Sequence, residues 1–349
     1  MSKKILHIAN SDKFIPPFIE FVKEHFEFSE HEFLLTDGMA KDQLKPHVNV
    51  QLAKRTILGL LKHYGQAVIK MHQAKKVILH GLFDIKLVCI LFCMPWLLKK
   101  CYWVMWGGDL FVYQLGERNW KWKKREFFRR PVIKKMGHLV DYMKGNYELA
   151  QQWYGAKGEC HECFMYTSNL YKEYDVPHKQ HSGINILVGN SADPSNNHLE
   201  VFDKLEAFKD RDIKIYAPLT YGNQDYAKSI IEEAKQRFGD KFEALTEHMP
   251  FNQYIEFLGK IDIAIFNHKR QQAMGNTITL LGLGKKVFMR QDTVQYKFLS
   301  EHHIQIFKIE DIECKDTFYI DIYMDANRFK IKELFSINVL KNCLSECLL

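Results

Sequence analysis

The stretch Ile261–Met289, IDIAIFNHKRQQAMGNTITLLGLGKKVFM, decides the fold. Its apolar run from Ile261 to Phe266 predicts a buried parallel strand, and the polar residues Asn267 to Gly275 predict a loop. A short apolar helix is expected from about Thr277, ended by Gly282 and Gly284, and Lys286 to Met289 starts a second strand. This strand–loop–helix–strand unit collects polar side chains at the carboxyl end of its first strand. Open α/β sheets bind ligands at that edge, and the free amides of a helix N-terminus attract anions. His268, Lys269, Arg270, Gln271, Gln272, Asn276 and Thr277 all crowd it, which suits a polar, phosphorylated ligand. The plainer alternative is a solvated loop with chance basic residues.

Working outward, the same alternation recurs on both sides. Lys4–Ala9, Glu32–Leu35, Val77–Leu79 and Cys101–Met105 read as strands, with helical spacing after Asp12 and over Leu52–Gln73. A polar stretch, Val176–Gly183, precedes a second series with strands Ile184–Val188, Ile213–Ala217 and Ile261–Phe266. Lys204–Phe208, Tyr226–Phe238 and Tyr254–Gly259 carry helical patterns between them. The expected fold class is α/β, with two Rossmann-like domains facing an interdomain cleft. The expected division is an N-terminal domain 1–178, a C-terminal domain 179–335, and a last helix 336–349 that packs back on the first domain. A chain of 349 residues is long enough to bury two full cores.

Strand-end blocks carry the candidate chemistry. In Ile186–His198, ILVGNSADPSNNH, a strand runs into Gly189-Asn190-Ser191, where a small residue lets a ligand approach the backbone. The spacing is neither a Walker A loop nor a dinucleotide fingerprint. Taken alone it is a well-capped turn; paired with the Arg270 loop in one sheet it becomes a phosphate site. Tyr221, after the Ile213 strand, is placed either to stack on a base or simply to pack. In the first half Asp12, His80 and Asp109 end successive strands, and a general base acting on a hydroxyl needs such a carboxylate or imidazole. Trp106, beside Gly107-Gly108, offers an apolar wall to a sugar face.

The net charge of +7 is local: Arg118–Lys135 holds nine Lys/Arg against Glu126 alone. Its aromatics and cations suit an anionic membrane surface, with Trp120, Trp122, Lys123, Lys124, Arg125, Arg129 and Arg130 as contacts. A nucleic-acid patch has similar composition, but no nucleic-acid motif accompanies it, and no such partner is expected. The longest apolar run, Leu87–Leu98, is broken by Pro95 and too short to span about 30 Å of hydrocarbon. Eight scattered cysteines and an N-terminus that enters a strand directly suggest a reducing cytosol. Cys160-His161-Glu162-Cys163 is a lone CxxC without a second ligand pair, so no metal is assigned and no cofactor is expected.

Asn10-Ser11-Asp12, His80-Gly81-Leu82-Phe83, Trp106–Leu110, Leu187–His198, Tyr221-Gly222 and Arg270-Gln271-Gln272 with Gly275 run in order along the chain. Together they resemble glycosyltransferase family 56, the bacterial TDP-N-acetylfucosamine:lipid II N-acetylfucosaminyltransferases. The resemblance implies a GT-B fold with an acceptor domain followed by a nucleotide-sugar domain. It implies an inverting, metal-independent hexosyltransferase, peripheral at the cytoplasmic face of the bacterial inner membrane. The donor is a TDP-sugar and the acceptor an undecaprenyl-diphosphate-linked saccharide, in enterobacterial common antigen or O-antigen synthesis. Asp12, His80 and Asp109 are the catalytic candidates. Gly189, Asn190, Ser191, Tyr221, Gly222, Arg270, Gln271, Gln272, Gly275, Asn276 and Thr277 are the donor-binding ones. A nucleotide-sugar epimerase, or a non-catalytic nucleic-acid-binding protein using the basic patch, are the alternatives.

Overall fold

The computed structural model describes residues 4–36, 41–54, 56–176, 181–313 and 324–348. It divides into two compact units, Met1–Asn169 with Ile337–Leu349, and Leu170–Ser336. The 178/179 boundary expected from the polar stretch lies outside the described residues. The units part earlier because Tyr171 already belongs to the second: its amide donates to the Phe335 carbonyl at 2.9 Å.

The first unit is a parallel sheet. Its strands are β1 (Ile5–Asn10), β2 (His31–Thr36), β3 (Val50–Leu52), β4 (Lys76–His80), β5 (Cys101–Val104), β6 (His138–Val140) and β7 (Glu159–His161), ordered β3-β2-β1-β4-β5-β6-β7. Its helices are α1 (Ile15–His25), α2 (Ile57–Gln73), α3 (Ile85–Cys93), α4 (Gly108–Leu115), α5 (Trp120–Lys134) and α6 (Lys144–Tyr154). The β1, β4 and β5 strands are nearly continuous apolar runs, as strands buried on both faces must be. Local chemistry sets the helix starts. The Thr56 hydroxyl accepts from the Gly59 amide, so α2 begins only at Ile57, and Leu52 ends the edge strand β3 instead of starting the helix. Asp84 caps α3, and Pro95 ends that apolar run in a 3₁₀ turn, Pro95–Lys100.

The second unit repeats the plan with β8 (Ile184–Val188), β9 (Ile213–Pro218), β10 (Phe242–Leu245), β11 (Ile263–Phe266), β12 (Lys286–Met289) and β13 (Phe307–Lys308), ordered β10-β9-β8-β11-β12-β13, all parallel. Its helices are α7 (His198–Leu205), α8 (Gln224–Phe238), α9 (Phe251–Lys260), α10 (Met274–Gly282), α11 (Val294–Glu301) and α12 (Met324–Leu334). Val201, Phe202, Ile230 and Ala234 bury against Ile186, Val188, Ile215 and Ile265. The last helix, α13 (Ile337–Leu348), returns to the first unit and packs on β7 through Leu340, Cys343, Leu344 and Cys347. Among the described residues no helix is long and apolar enough to cross a membrane.

Candidate active site

In the second unit the carboxyl ends of β9, β8 and β11 are adjacent, and their loops interlock. Gly189 leaves β8 at φ +69°, and a Cβ there would lie 2.6 Å from His198 Nε2 and 2.8 Å from Asn196 Oδ1. Only glycine fits without displacing those groups. The Asn190 amide donates to Asn196 Oδ1 at 3.0 Å, and Asp193 caps the turn Pro194–Asn196. The β11 loop ties onto this turn. The Lys269 amide donates to the Ser195 carbonyl at 3.1 Å, and Asn197 Nδ2 to the Asn267 carbonyl at 2.8 Å. Gln272 joins both loops, accepting from Ser195 Oγ and donating to Asn190 Oδ1, each at 3.1 Å. The β9 loop is bound in as well: the Ala192 amide donates to the Tyr221 carbonyl at 2.6 Å, and Gly222 (φ +117°) lies against Ala192.

Two buried imidazoles finish the cradle. The Tyr226 hydroxyl lies 3.1 Å from His198 Nδ1 and also accepts from the His198 amide at 3.4 Å. His268 stacks on Phe266 at 5.2 Å. Nε2 of each ring is buried and has no hydrogen-bond partner among the described residues. Burial pushes His198 down to about 4 and His268, with Arg270 adding repulsion, to about 3. Both rings are neutral at pH 7 and can donate to an anion without carrying charge. Beside them α10 begins at Met274, three residues earlier than expected, because Ala273 takes the left-handed conformation (φ +59°) and turns the chain into the helix. No side chain caps its first turn, whose amides have no intrahelical acceptor.

The eleven donor-site candidates separate on this geometry. Gly189, Asn190, Ser191, Gly222, Arg270, Gln272 and Gly275 lie on the interlocked loops or in the first turn of α10. Arg270 is ion-paired with Asp193 at 3.1 Å, an acid absent from the expected set. Gln271 is buried. Asn276 donates to the Tyr254 hydroxyl at 2.9 Å, and Tyr221 is half-exposed with its hydroxyl 2.8 Å from His248 Nδ1. Thr277 is fully buried and donates back to the Ala273 carbonyl at 3.0 Å, which makes it part of the helix rather than a ligand contact. His198, Asp193 and Gln295, which pairs with the backbone of Gln272, were missed. The Asp-Pro-Ser turn was the available signal for Asp193.

In the first unit the three base candidates have different fates. Asp109 is fully buried and saturated: Oδ2 accepts from Leu82 N at 3.0 Å and Trp103 Nε1 at 2.7 Å, and Oδ1 from Trp106 N and Leu110 N. It fastens the ends of β4 and β5 and has no position left for a substrate proton. His80 is likewise buried, between the Tyr166 hydroxyl at 2.7 Å and His7 at 3.1 Å. The chain continues from His7 to His31 at 2.9 Å, and Trp106 Nε1 donates to Tyr166 at 2.8 Å. Burial pushes His80 down to about 3. Both expected base candidates are thus committed to hydrogen bonds within the protein. Asp12 is partly exposed; Oδ1 takes the Lys13 amide at 2.7 Å, and Oδ2 carries no hydrogen bond among the described residues. Near it Phe14 and Phe83 meet the Trp106 ring edge-on, at 5.4 and 5.9 Å.

The basic segment is α5, started by the Asn119 cap. Trp120, Lys123 and Lys124 are exposed, whereas Trp122, Arg125 and Arg130 are partly covered. Trp122 donates to the Val112 carbonyl at 2.9 Å and Arg125 to the Phe83 carbonyl at 3.5 Å, and Arg130 stacks over Tyr113. Arg129 is fully buried against Glu126 at 2.8 Å, Tyr154 and the Asp109 carbonyl, so it is no surface contact. A feature unread in the sequence lies beside this helix. Tyr64 of α2 bonds the α3 cap Asp84, and Phe92 of α3 packs on Phe127 and Phe128 of α5, joining the three helices in one layer. That layer exposes Ile57 (81%), Leu58 (79%), Leu61 (66%), Trp96, Trp120 and Phe127.

Paired parallel-sheet, Rossmann-like units make up the GT-B fold. The structure of Anabaena Alr3699/HepE in complex with UDP-glucose matches with a TM-score of 0.71 at 13% identity, over 99% of both chains. A glycosyltransferase from Rickettsia africae ESF-5 matches at 0.64 and 14%, over 99% of this chain and 98% of that one. WaaG, a glycosyltransferase involved in lipopolysaccharide biosynthesis, matches at 0.63 and 10%, over 99% and 98%. A family model described as 4-alpha-L-fucosyltransferase, glycosyl transferase group 56, covers residues 20–324, and the chain belongs to that family. It is a glycosyltransferase, which sets aside the epimerase and non-catalytic alternatives.

Proposed function

We propose that this glycosyltransferase moves a deoxy-amino sugar of the Fuc4NAc type from a TDP-sugar to an undecaprenyl-diphosphate-linked saccharide, with inversion. The observation that carries the donor half is the cradle after β8 and β11. An uncapped helix start, the tight glycine turn at Gly189, two unpartnered imidazole nitrogens and the Arg270 guanidinium all suit a diphosphate. The donor phosphates would take Arg270 from Asp193. Negative charge growing on the leaving diphosphate is then met by preoriented amides and a guanidinium, and no metal is required. The nucleotide-sugar in the HepE complex supports this class of donor.

The test is thermal stabilisation of the full chain by TDP, UDP, GDP and CDP, each with and without magnesium. A TDP-selective shift that survives without magnesium, and shrinks in Arg270→Ala, is expected. A shift with UDP or GDP alone would move the donor; no shift with any nucleotide would overturn the donor site.

The lipid-linked acceptor draws support from the α2–α3–α5 layer, where exposed apolar side chains stand beside Lys123 and Lys124. Apolar groups enter the headgroup boundary while lysines gain from anionic lipid. On vesicles containing phosphatidylglycerol, the triple change Ile57→Ser, Leu58→Ser, Leu61→Ser is expected to reduce co-sedimentation at every salt concentration. Lys123→Glu with Lys124→Glu reduces it mainly at low salt. Equal vesicle binding by both variants and the parent would sink the membrane surface.

A further inference from the structure

The geometry points to a divalent transition-metal site at the outer edge of the first sheet, built from His138, Glu159 and His161. In parallel strands, paired residues and those two apart share a face. His138 pairs with Glu159 and Val140 with His161, so β6 and β7 direct all three side chains to one side. The possible ligand atoms converge: His138 Nδ1 lies 2.9 Å from His161 Nε2 and 3.5 Å from Glu159 Oε2, and His161 Nε2 lies 3.9 Å from that oxygen. Metal–ligand bonds of about 2.0–2.2 Å set tetrahedral ligand atoms about 3.3 Å apart, within about 0.6 Å of each of these separations. A hydrogen bond between two imidazoles explains the 2.9 Å contact, but it does not need the carboxylate facing both nitrogens.

The surroundings suit a ligand set. The Tyr102 ring stacks on His138 at 4.0 Å and 7°, and a Lys99 backbone hydrogen bond adds to it, fixing the ring as supporting groups do around bound metals. Charges acting on the rings are Glu159, Glu346 and Lys76, one net negative among them. Two imidazoles and a carboxylate favour zinc, copper or nickel over magnesium or calcium. The motif Cys160-His161-Glu162-Cys163 thus contributes its histidine, with Glu159 just ahead of it, while its cysteines play no part. An ion there would tie β6 to the edge strand β7, on which α13 packs.

The test uses full-length protein stripped with chelator and then titrated with Co²⁺ and with Zn²⁺, and it needs no nucleotide-sugar. One ion per chain is expected, with visible cobalt absorption and no thiolate charge-transfer band. His138→Gln and His161→Gln should each weaken binding by about 100-fold. Glu159 is largely exposed, and Glu159→Gln leaves the packing intact while also weakening binding, which keeps the test valid if a histidine variant misfolds. Absence of a stoichiometric ion, a thiolate band, or unchanged affinity in Glu159→Gln or in a folded His138→Gln/His161→Gln double variant would overturn the site.

Discussion

Asp12→Asn is expected to lower kcat by about 10²–10⁴-fold, the usual contribution of a positioned general base, with the melting temperature and donor KM unchanged. Three carboxyl and imidazole groups end neighbouring strands, but only Asp12 keeps an oxygen free among the described residues. His80 spends both ring nitrogens on Tyr166 and His7, and Asp109 accepts four hydrogen bonds. Changing either should register first as lost stability, because each leaves buried donors unpaired. The split is measured by comparing kcat with thermal melting for Asp12→Asn, His80→Asn and Asp109→Asn. An Asp12→Asn enzyme with near-normal kcat would remove Asp12 from the mechanism.

Arg129→Ala is expected to cost about 3 kcal/mol, the low end of the penalty for breaking a buried ion pair, because Arg130 Nε stays 3.7 Å from Glu126 Oε2. Glu126 is almost wholly buried, and Arg129 is its close partner as well as a donor to the Asp109 carbonyl and the Tyr154 hydroxyl. Against a total stability of about 5–15 kcal/mol such a loss is severe. Denaturant or thermal unfolding measures it. Replacing the pair together, Arg129→Met with Glu126→Leu, should recover most of the loss, since apolar groups of similar volume need no partner. If Arg129→Ala unfolds within about 1 kcal/mol of the parent, the arginine is not the structural element described. Vesicle binding of Arg129→Ala, in contrast, should change little.

Where the sequence was legible, a local pattern carried the information. The β11–α10–β12 unit lies where the apolar run, polar loop and glycines place it, apart from the early helix start at Met274. That shift depends on the backbone of Ala273, and alanine gives no warning of a left-handed conformation. The helical spacing from Leu52 began one residue inside an edge strand and five residues ahead of the helix, since the cap at Thr56 outweighs periodicity over so short a stretch. β6 and β7 are three residues each, too short for any period, so the face shared by His138, Glu159 and His161 left no trace in the pattern. The proposed donor cradle was half-legible: Gly189 and the Arg270 loop were evident as polar strand ends. The part played by His198 emerges only when Tyr226 and Gly189 are brought beside it.

By itself the sequence determined two parallel α/β units, the edges that carry polar loops, and the family. Period and turn chemistry act over a few residues, and ordered blocks survive drift between them. Only the tertiary structure decided which polar residues remain available for chemistry. His80 is consumed by a residue 86 positions away, and Asp109 and Arg129 share one buried network across 20. Burial and hydrogen-bond saturation arise from contacts between distant segments, so a strand-end acid looks the same in sequence whether it fastens the backbone or faces a substrate.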